Sequence, residues 1–219
     1  MLFEGLRDPA GLTIVDLGAG TGISSRLLAA RGATVIAVEP NAAMREQAVP
    51  AENVTWTAGT AETTGLEAES ADIVTAFQAF HWFDYDAACR EMVRILRPAG
   101  RAAIVYNERD DSNAFTDAYS DLVRRHATDQ TEQQRGYARA AFEAYSGWSR
   151  VRAGEFTNVQ YLDRAAVYAR ARSTSYLPKK GAAATKLHAV IDAIYDTHAG
   201  DAAVTMLMRT VVTVAYIAR

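Results

Sequence analysis

The chain has 219 residues, 49% hydrophobic and 22% charged, with a formal net charge of −3. That length holds one domain with decorations and enough core to fold alone, and charges this interspersed, with no long basic block, exclude the footprint of a nucleic-acid binder. The single cysteine, Cys89, excludes an internal disulfide and suits a reducing compartment, no run approaches the roughly 18 apolar residues of a membrane span, and Met1 to Leu12 lacks the apolar core of a secretion signal, so a cytoplasmic protein without a membrane partner is expected.

Leu12 to Leu17 are apolar and partly β-branched, and the pattern predicts a buried strand. Gly18-Ala19-Gly20-Thr21-Gly22 follows, with glycines at alternate positions, where a backbone free to take φ > 0 can approach a ligand closely. Ile23 to Ala30 carry apolar residues at helical spacing. Strand, glycine turn and helix make the first half of a nucleotide-binding βαβ unit. Thr34–Val38 is the second predicted strand and ends at Glu39. Asn41 caps a short helix through Val49, with Met44 in its first turn. Val54–Thr57 is the third strand, Ala58–Glu62 the loop after it, and Asp72–Phe77 the fourth strand. Gln78-Ala79-Phe80-His81-Trp82-Phe83 then leads to Asp84, which caps a helix whose apolar face includes Ala88, Met92, Ile95 and Leu96. Arg97 to Gly100 stop that helix, and Arg101–Tyr106 is the fifth strand. The alternation predicts an α/β fold: a Rossmann-like, doubly wound, mostly parallel sheet with helices on both faces.

After Tyr106 the character changes. Asn107 to Asp111 are polar, and Ser112–Thr128 and Asp129–Tyr145 read as helices. Inserted between late strands, residues 107–145 are expected to form a helical cap, with most of its aromatics packing the cap itself. Phe156–Leu162 is a sixth strand, Arg164–Arg172 and Gly181–Thr197 are helices, and Thr210–Ala218 is the last of seven strands. No repeat or linker interrupts the chain, so residues 1–219 are expected to form a single domain.

A nicotinamide or flavin fingerprint requires G-x-G-x-x-G. Counted from Gly18, the third glycine falls at Ile23, so a nicotinamide-dependent oxidoreductase is disfavoured. Asp16 stands just before the turn, where it repels a pyrophosphate but not a cationic ligand. Asp16-Leu17-Gly18-Ala19-Gly20-Thr21-Gly22 resembles motif I of the class I S-adenosylmethionine-dependent methyltransferases. Glu39, roughly twenty residues past the turn, has the spacing of a carboxylate that binds ribose hydroxyls. The Ala79-Phe80-His81-Trp82-Phe83 run resembles a methyltransferase subgroup that includes the trans-aconitate methyltransferases. The resemblance implies S-adenosylmethionine as cofactor, S-adenosylhomocysteine as product, and a cofactor site of Asp16, Gly18, Ala19, Gly20, Gly22, Glu39, Pro40, Met44, Ala61, Glu62 and Gln78. His81, Trp82, Tyr106 and Arg109 are the candidates for acceptor contact.

The implied reaction is methyl transfer by in-line displacement to a small molecule, with a carboxylate or hydroxyl as the favoured acceptor. Such chemistry needs chiefly proximity, alignment and a dry site. A hydroxyl must also lose a proton, and His81, with an ordinary pKa of about 6.5, is the candidate base. Arg109 could pair with an acidic substrate. Nucleic-acid amino-methyltransferases carry prolines after strand four; Gln78 to Phe83 contain none. No cluster of His, Cys and carboxylates has metal-ligand spacing, so no metal is expected. A non-catalytic cofactor-binding or partner-interaction protein on the same fold is the other alternative. About a dozen residues precede the first strand, with Phe3 their only aromatic, whereas relatives of the subgroup usually carry a longer aromatic segment there. An open site and weak retention of cofactor are the corresponding expectations. The sequence leaves oligomeric state unread.

Overall fold

The computed structural model of the protein describes residues 1–5, 8–200 and 203–217. It contains β1 (Thr13–Leu17), α1 (Ile23–Ala29), β2 (Thr34–Val38), α2 (Ala42–Glu46), β3 (Val54–Thr57), β4 (Ala71–Phe77), α3 (Tyr85–Ile95), β5 (Leu96–Arg109), α4 (Ala114–His126), α5 (Thr131–Ala144), β6 (Trp148–Leu162), α6 (Arg164–Ser173), α7 (Gly181–His198) and β7 (Val204–Ile217), with short 3-10 turns at Pro9–Gly11 and Phe80–Trp82. One seven-stranded sheet runs in the order β3-β2-β1-β4-β5-β7-β6. Strands β1 to β5 pair in parallel. Late β5 meets early β7, through Asn107 with Thr210 and Asp110 with Leu207, so β7 runs antiparallel to β5.

The chain divides into two compact units. The first comprises Met1–Tyr106, Gln134–Gly154 and Val211–Arg219; the second comprises Asn107–Gln133 and Glu155–Thr210. Most of α5 belongs to the first unit, and α6, α7 and early β7 join α4 in the second.

In the first unit, strand alternation sends side chains to opposite faces of the sheet. Ile14, Val35 and Ile73 pack with Leu28 and Ala29 of α1. Their neighbours Val15, Val38 and Val74 pack on the other side with Ala88, Cys89, Met92 and Ile95 of α3. Helices thus cover both faces, as parallel sheets require. Cys89 is buried in this core. The second unit has its own core, where Phe115 and Tyr119 of α4 meet Val167 of α6 and Leu187 and Ile191 of α7. Asn113 caps α4 by accepting from the Thr116 N–H, and Asp163 caps α6 by accepting from the Ala166 N–H.

Strands β1 to β4 fall where the pattern predicts them; α2 ends at Glu46 where a helix through Val49 was expected, α4 and α5 are shorter than expected, and β5, β6 and β7 are longer. Pro98-Ala99-Gly100 does not precede β5 but lies within it as a bulge, with Ala99 at φ 66° and the β4 register slipping between Ala71 and Ile73. Strand β7 begins six residues early, because Val204, Met206 and Met208 are buried and alternate with more exposed neighbours; methionine is a weak strand signal. Ala218, the expected end of that strand, lies outside the described residues. Among the described residues, no helix is long and apolar enough to cross a membrane, and no group of His, Cys, Asp and Glu could hold a metal ion.

Candidate functional site

The carboxyl ends of β1, β2 and β4 meet around a cavity of 380 Å³. Gly18, Gly20, Glu39, Pro40, Met44, Ala61, Glu62 and Gln78 line it, and so do Thr60, Ala79, Trp82 and Phe83. A larger hollow of 540 Å³, bounded by Ala68, Val93, Leu96 and Pro98, has neither the glycine turn nor the strand-end acid, so volume does not select the site.

Gly18 and Gly20 need to be glycine for different reasons. Both take left-handed backbone, at φ 64° and 59°. A Cβ on Gly18 would lie 2.7 Å from the Ala79 Cβ, so Gly18 lets β1 and the loop after β4 approach each other. A Cβ on Gly20 would meet only the Met44 Sδ, at 3.8 Å, and would otherwise project into free space. Glu39 faces this turn. Its Oε2 accepts from the Gly20 N–H and its Oε1 from the Asn41 N–H, each at 2.9 Å. Each carboxylate oxygen can accept a further bond. The Arg45 guanidinium donates to the Glu39 carbonyl at 2.6 Å and fixes the backbone there. Gln78, at the exit of β4, also takes left-handed backbone, at φ 55°, a conformation that costs a non-glycine residue about 1–2 kcal/mol.

Asp16 does not line the cavity. It is fully buried, and its carboxylate accepts from the hydroxyls of Ser24 (2.6 Å), Ser25 (2.7 Å) and Thr75 (3.0 Å). Burial pushes its pKa up, opposed by those hydroxyls. The acid before the turn therefore ties β1 to α1 and β4 through hydroxyl partners. Ala19 and Gly22 also stand outside the lining. The Ala19 N–H donates to the Val38 carbonyl at 3.1 Å, and a Cβ on Gly22 would lie 2.7 Å from the Trp56 ring. Glu62 reaches the cavity wall while its Oε1 accepts from the Asp84 N–H, at 2.9 Å.

His81 sits in the Phe80–Trp82 turn and is only 6% exposed. Its backbone N–H donates to the Tyr106 hydroxyl at 3.0 Å, and that hydroxyl lies 3.4 Å from the His81 Nδ1. The Trp82 ring is tilted against the imidazole, with centroids 4.7 Å apart. Burial, aided by the positive charge of Arg135, lowers the His81 pKa to about 4. The imidazole is neutral at physiological pH but too weak a base to draw a proton readily from a hydroxyl. Tyr106 is buried behind the turn and positions it, where acceptor contact was expected. Arg109 is not among the cavity residues; it lies in the second unit, and its Nε donates to the Ser120 hydroxyl at 2.8 Å. Arg135, whose charge contributes to lowering the His81 pKa, has no motif around it, and only its helical spacing from buried Ala138 and Phe142 would have marked it.

The sheet order and the helices on both faces give this chain a Rossmann-like fold, which solved methyltransferase structures share. Residues 15–104 match the methyltransferase domain family. An uncharacterised methyltransferase-like protein of Schizosaccharomyces pombe is 37% identical over 120 residues, which cover 53% of this chain and 46% of the relative. The chain spans about half the length of the curated relatives it matches. A structure from Anaeromyxobacter dehalogenans, put forward as a type II methyltransferase, superposes with a TM-score of 0.65 at 22% identity, covering 93% of this chain and 88% of its own. A phosphoethanolamine N-methyltransferase of Haemonchus contortus, solved with S-adenosylhomocysteine, has a TM-score of 0.51 at 17% identity and covers 95% of this chain and 49% of its own.

Proposed function

We propose that the protein transfers the methyl group of S-adenosylmethionine to a small-molecule acceptor, favouring a carboxylate oxygen over a hydroxyl, within the trans-aconitate-methyltransferase-like subgroup and in the reducing interior of the cell. The observation that carries this reading is the pairing of Glu39 with the Gly20 N–H on the cavity wall. When bound, the cofactor supplies a methyl carbon on a sulfonium, open to attack by an acceptor's lone pair with sulfur leaving. Glu39 holds the ribose hydroxyls with its remaining acceptor capacity. Gly18 and Gly20 let the backbone approach the methionine end, and Pro40, Met44, Ala61 and Glu62 flank the adenine. The carboxylate of Glu39 and the lack of a glycine at residue 23 suit a cationic sulfonium nucleoside better than a pyrophosphate. Phe83, half-buried on the cavity wall, helps to keep water out of it. The low basicity of His81 favours an acceptor that arrives already ionised, and a carboxylate needs no base.

Calorimetric titration with S-adenosylmethionine, S-adenosylhomocysteine and NADH tests the cofactor. Release of S-adenosylhomocysteine over a metabolite panel then separates turnover from binding alone. Binding of NADH in preference to S-adenosylmethionine would overturn the assignment, and tight cofactor binding with no turnover on any acceptor would favour a non-catalytic role.

A further inference from the structure

The loop after β3 is tied to α3. The Glu91 carboxylate, buried on that helix, accepts from the Thr64 N–H at 2.9 Å and from the Thr64 hydroxyl at 2.5 Å. Arg94 of the same helix donates to the Leu66 carbonyl at 2.7 Å. The loop so anchored holds Glu62 against the start of α3, where the Glu62 Oε1 accepts from the Asp84 N–H at 2.9 Å. Asp84 is the N-cap of α3, and its side chain accepts from the Ala87 N–H.

Asp84 also ends the aromatic loop that starts at Gln78. The Gln78 N–H donates to the Val105 carbonyl at 2.9 Å, and the His81 N–H to the Tyr106 hydroxyl. Past His81, the Trp82 and Phe83 N–H groups donate only within the turn, to the carbonyls of Ala79 and Phe80. The next tie to another part of the chain is Glu62. Trp82, Phe83 and Glu62 all line the cavity, and Trp82 is 61% exposed, so burial does little to order it.

Holding Asp84 takes one oxygen. Among the described residues the Glu62 Oε2 bonds no other group. A glutamine would serve Asp84 equally well and would put no charge beside the Asp84 carboxylate. The spare oxygen belongs to a side chain on the cavity wall, where it can accept from an N–H or O–H of a bound nucleoside.

We propose that Glu62 is a positioning residue that links the two loops: the cofactor donates to its free oxygen, the carboxylate loses its freedom to turn away from Asp84, and Trp82 and Phe83 are ordered on the cavity wall before the acceptor arrives. The ordering is done once, on cofactor binding, and need not be repeated for the acceptor. This rests on the methyl-transfer reading of the cavity.

Amide hydrogen exchange of the full chain, read by NMR with and without saturating S-adenosylhomocysteine, tests the link. The Ala166 N–H, held by Asp163 at the start of α6, is a second exposed cap bond and serves as the reference. In wild type the ligand should slow exchange at Asp84 by roughly tenfold and leave Ala166 within about twofold. Glu62→Ala should speed Asp84 exchange in the ligand-free protein and abolish the slowing. Glu62→Gln should keep the ligand-free rate near wild type, because an oxygen remains for Asp84, yet lose most of the slowing, because its amide turns N–H groups to the ligand. A purely structural Glu62 would alter the rate equally with and without ligand. The proposal is overturned if saturating S-adenosylhomocysteine leaves Asp84 unchanged in wild type, or if either variant keeps the full slowing. Failure of S-adenosylhomocysteine to bind wild type would refute the methyl-transfer reading and this proposal together; binding without an effect at Asp84 refutes the proposal alone.

Discussion

The backbone N–H of Gly20 donates to the Glu39 Oε2 at 2.9 Å, joining the glycine turn after β1 to the acid that ends β2. The bond orients the carboxylate before any ligand arrives, so less ordering remains to be done on binding. Glu39→Ala should lose about 1.5–3 kcal/mol of S-adenosylmethionine affinity, the range for hydrogen bonds to a charged group. Glu39→Gln should lose less, because the amide oxygen can still accept from Gly20. Calorimetry on the three proteins checks the order, and wild-type affinity in Glu39→Ala would remove Glu39 from the site.

The two glycines of the turn should separate stability from binding. Gly18→Ala sets a methyl against Ala79 and Phe83 in addition to the left-handed strain, so it should lower the melting temperature more than Gly20→Ala. Gly20→Ala should cost only the strain, about 1–2 kcal/mol, while its methyl obstructs the cofactor. Thermal melts beside cofactor titrations read both quantities.

Asp16→Ala removes the common acceptor of Ser24, Ser25 and Thr75. Stranding buried hydroxyls costs about 1–3 kcal/mol each where no new partner is found, so the loss should show first in urea denaturation. Cofactor affinity measured well below the unfolding transition should change less than in Glu39→Ala. The opposite ranking would make Asp16 a direct ligand contact.

The lowered pKa of His81 fixes the sign of two pH effects. Between about pH 5 and 8 the imidazole stays neutral, so the rate should show no inflection from His81, and an inflection near pH 6.5 that vanishes in His81→Gln would restore the base role. For stability, the folded pKa of about 4 lies below the ordinary 6.5. The unfolded chain takes up the proton first, and stability should fall as pH drops from 6.5 towards 4, by about 3 kcal/mol at most. His81→Gln should remove that slope.

Glu91 acts in a lower window. Hydrogen bonds from Arg94 first, and then from Thr64, hold its pKa near 2 instead of 4.5. Its contribution is present above pH 4.5 and is lost as pH falls through 4.5 towards 2. Arg94 is 43% exposed, so screening reduces the gain to about 1–2 kcal/mol. Glu91→Gln should flatten acid unfolding below pH 4.5 and leave the slope between 4.5 and 6.5 unchanged.

The sequence by itself determined the parts of this protein that depend on neighbours along the chain. A strand, a glycine turn and a helix are contiguous, so the entry of β1 through the glycine turn into α1 is legible from residues 13–29. The spacing to Glu39, the capping role of Asp84 and the alternation of β1 to β5 follow from the same local rules. Eight of the eleven expected cofactor residues line the cavity, most of them just past the carboxyl ends of strands that a parallel sheet gathers. Only the tertiary structure decided the surroundings of the other candidates. Asp16 turned inward because Thr75, on a strand distant in sequence, completes its hydroxyl shell. Burial and the charge of Arg135 stripped His81 of its basicity. Arg109 was expected near the acceptor, and the fold placed it against Ser120 in the second unit. Burial, long-range pairing and electrostatic environment depend on residues far apart in sequence, and no periodicity or motif spacing carries that information.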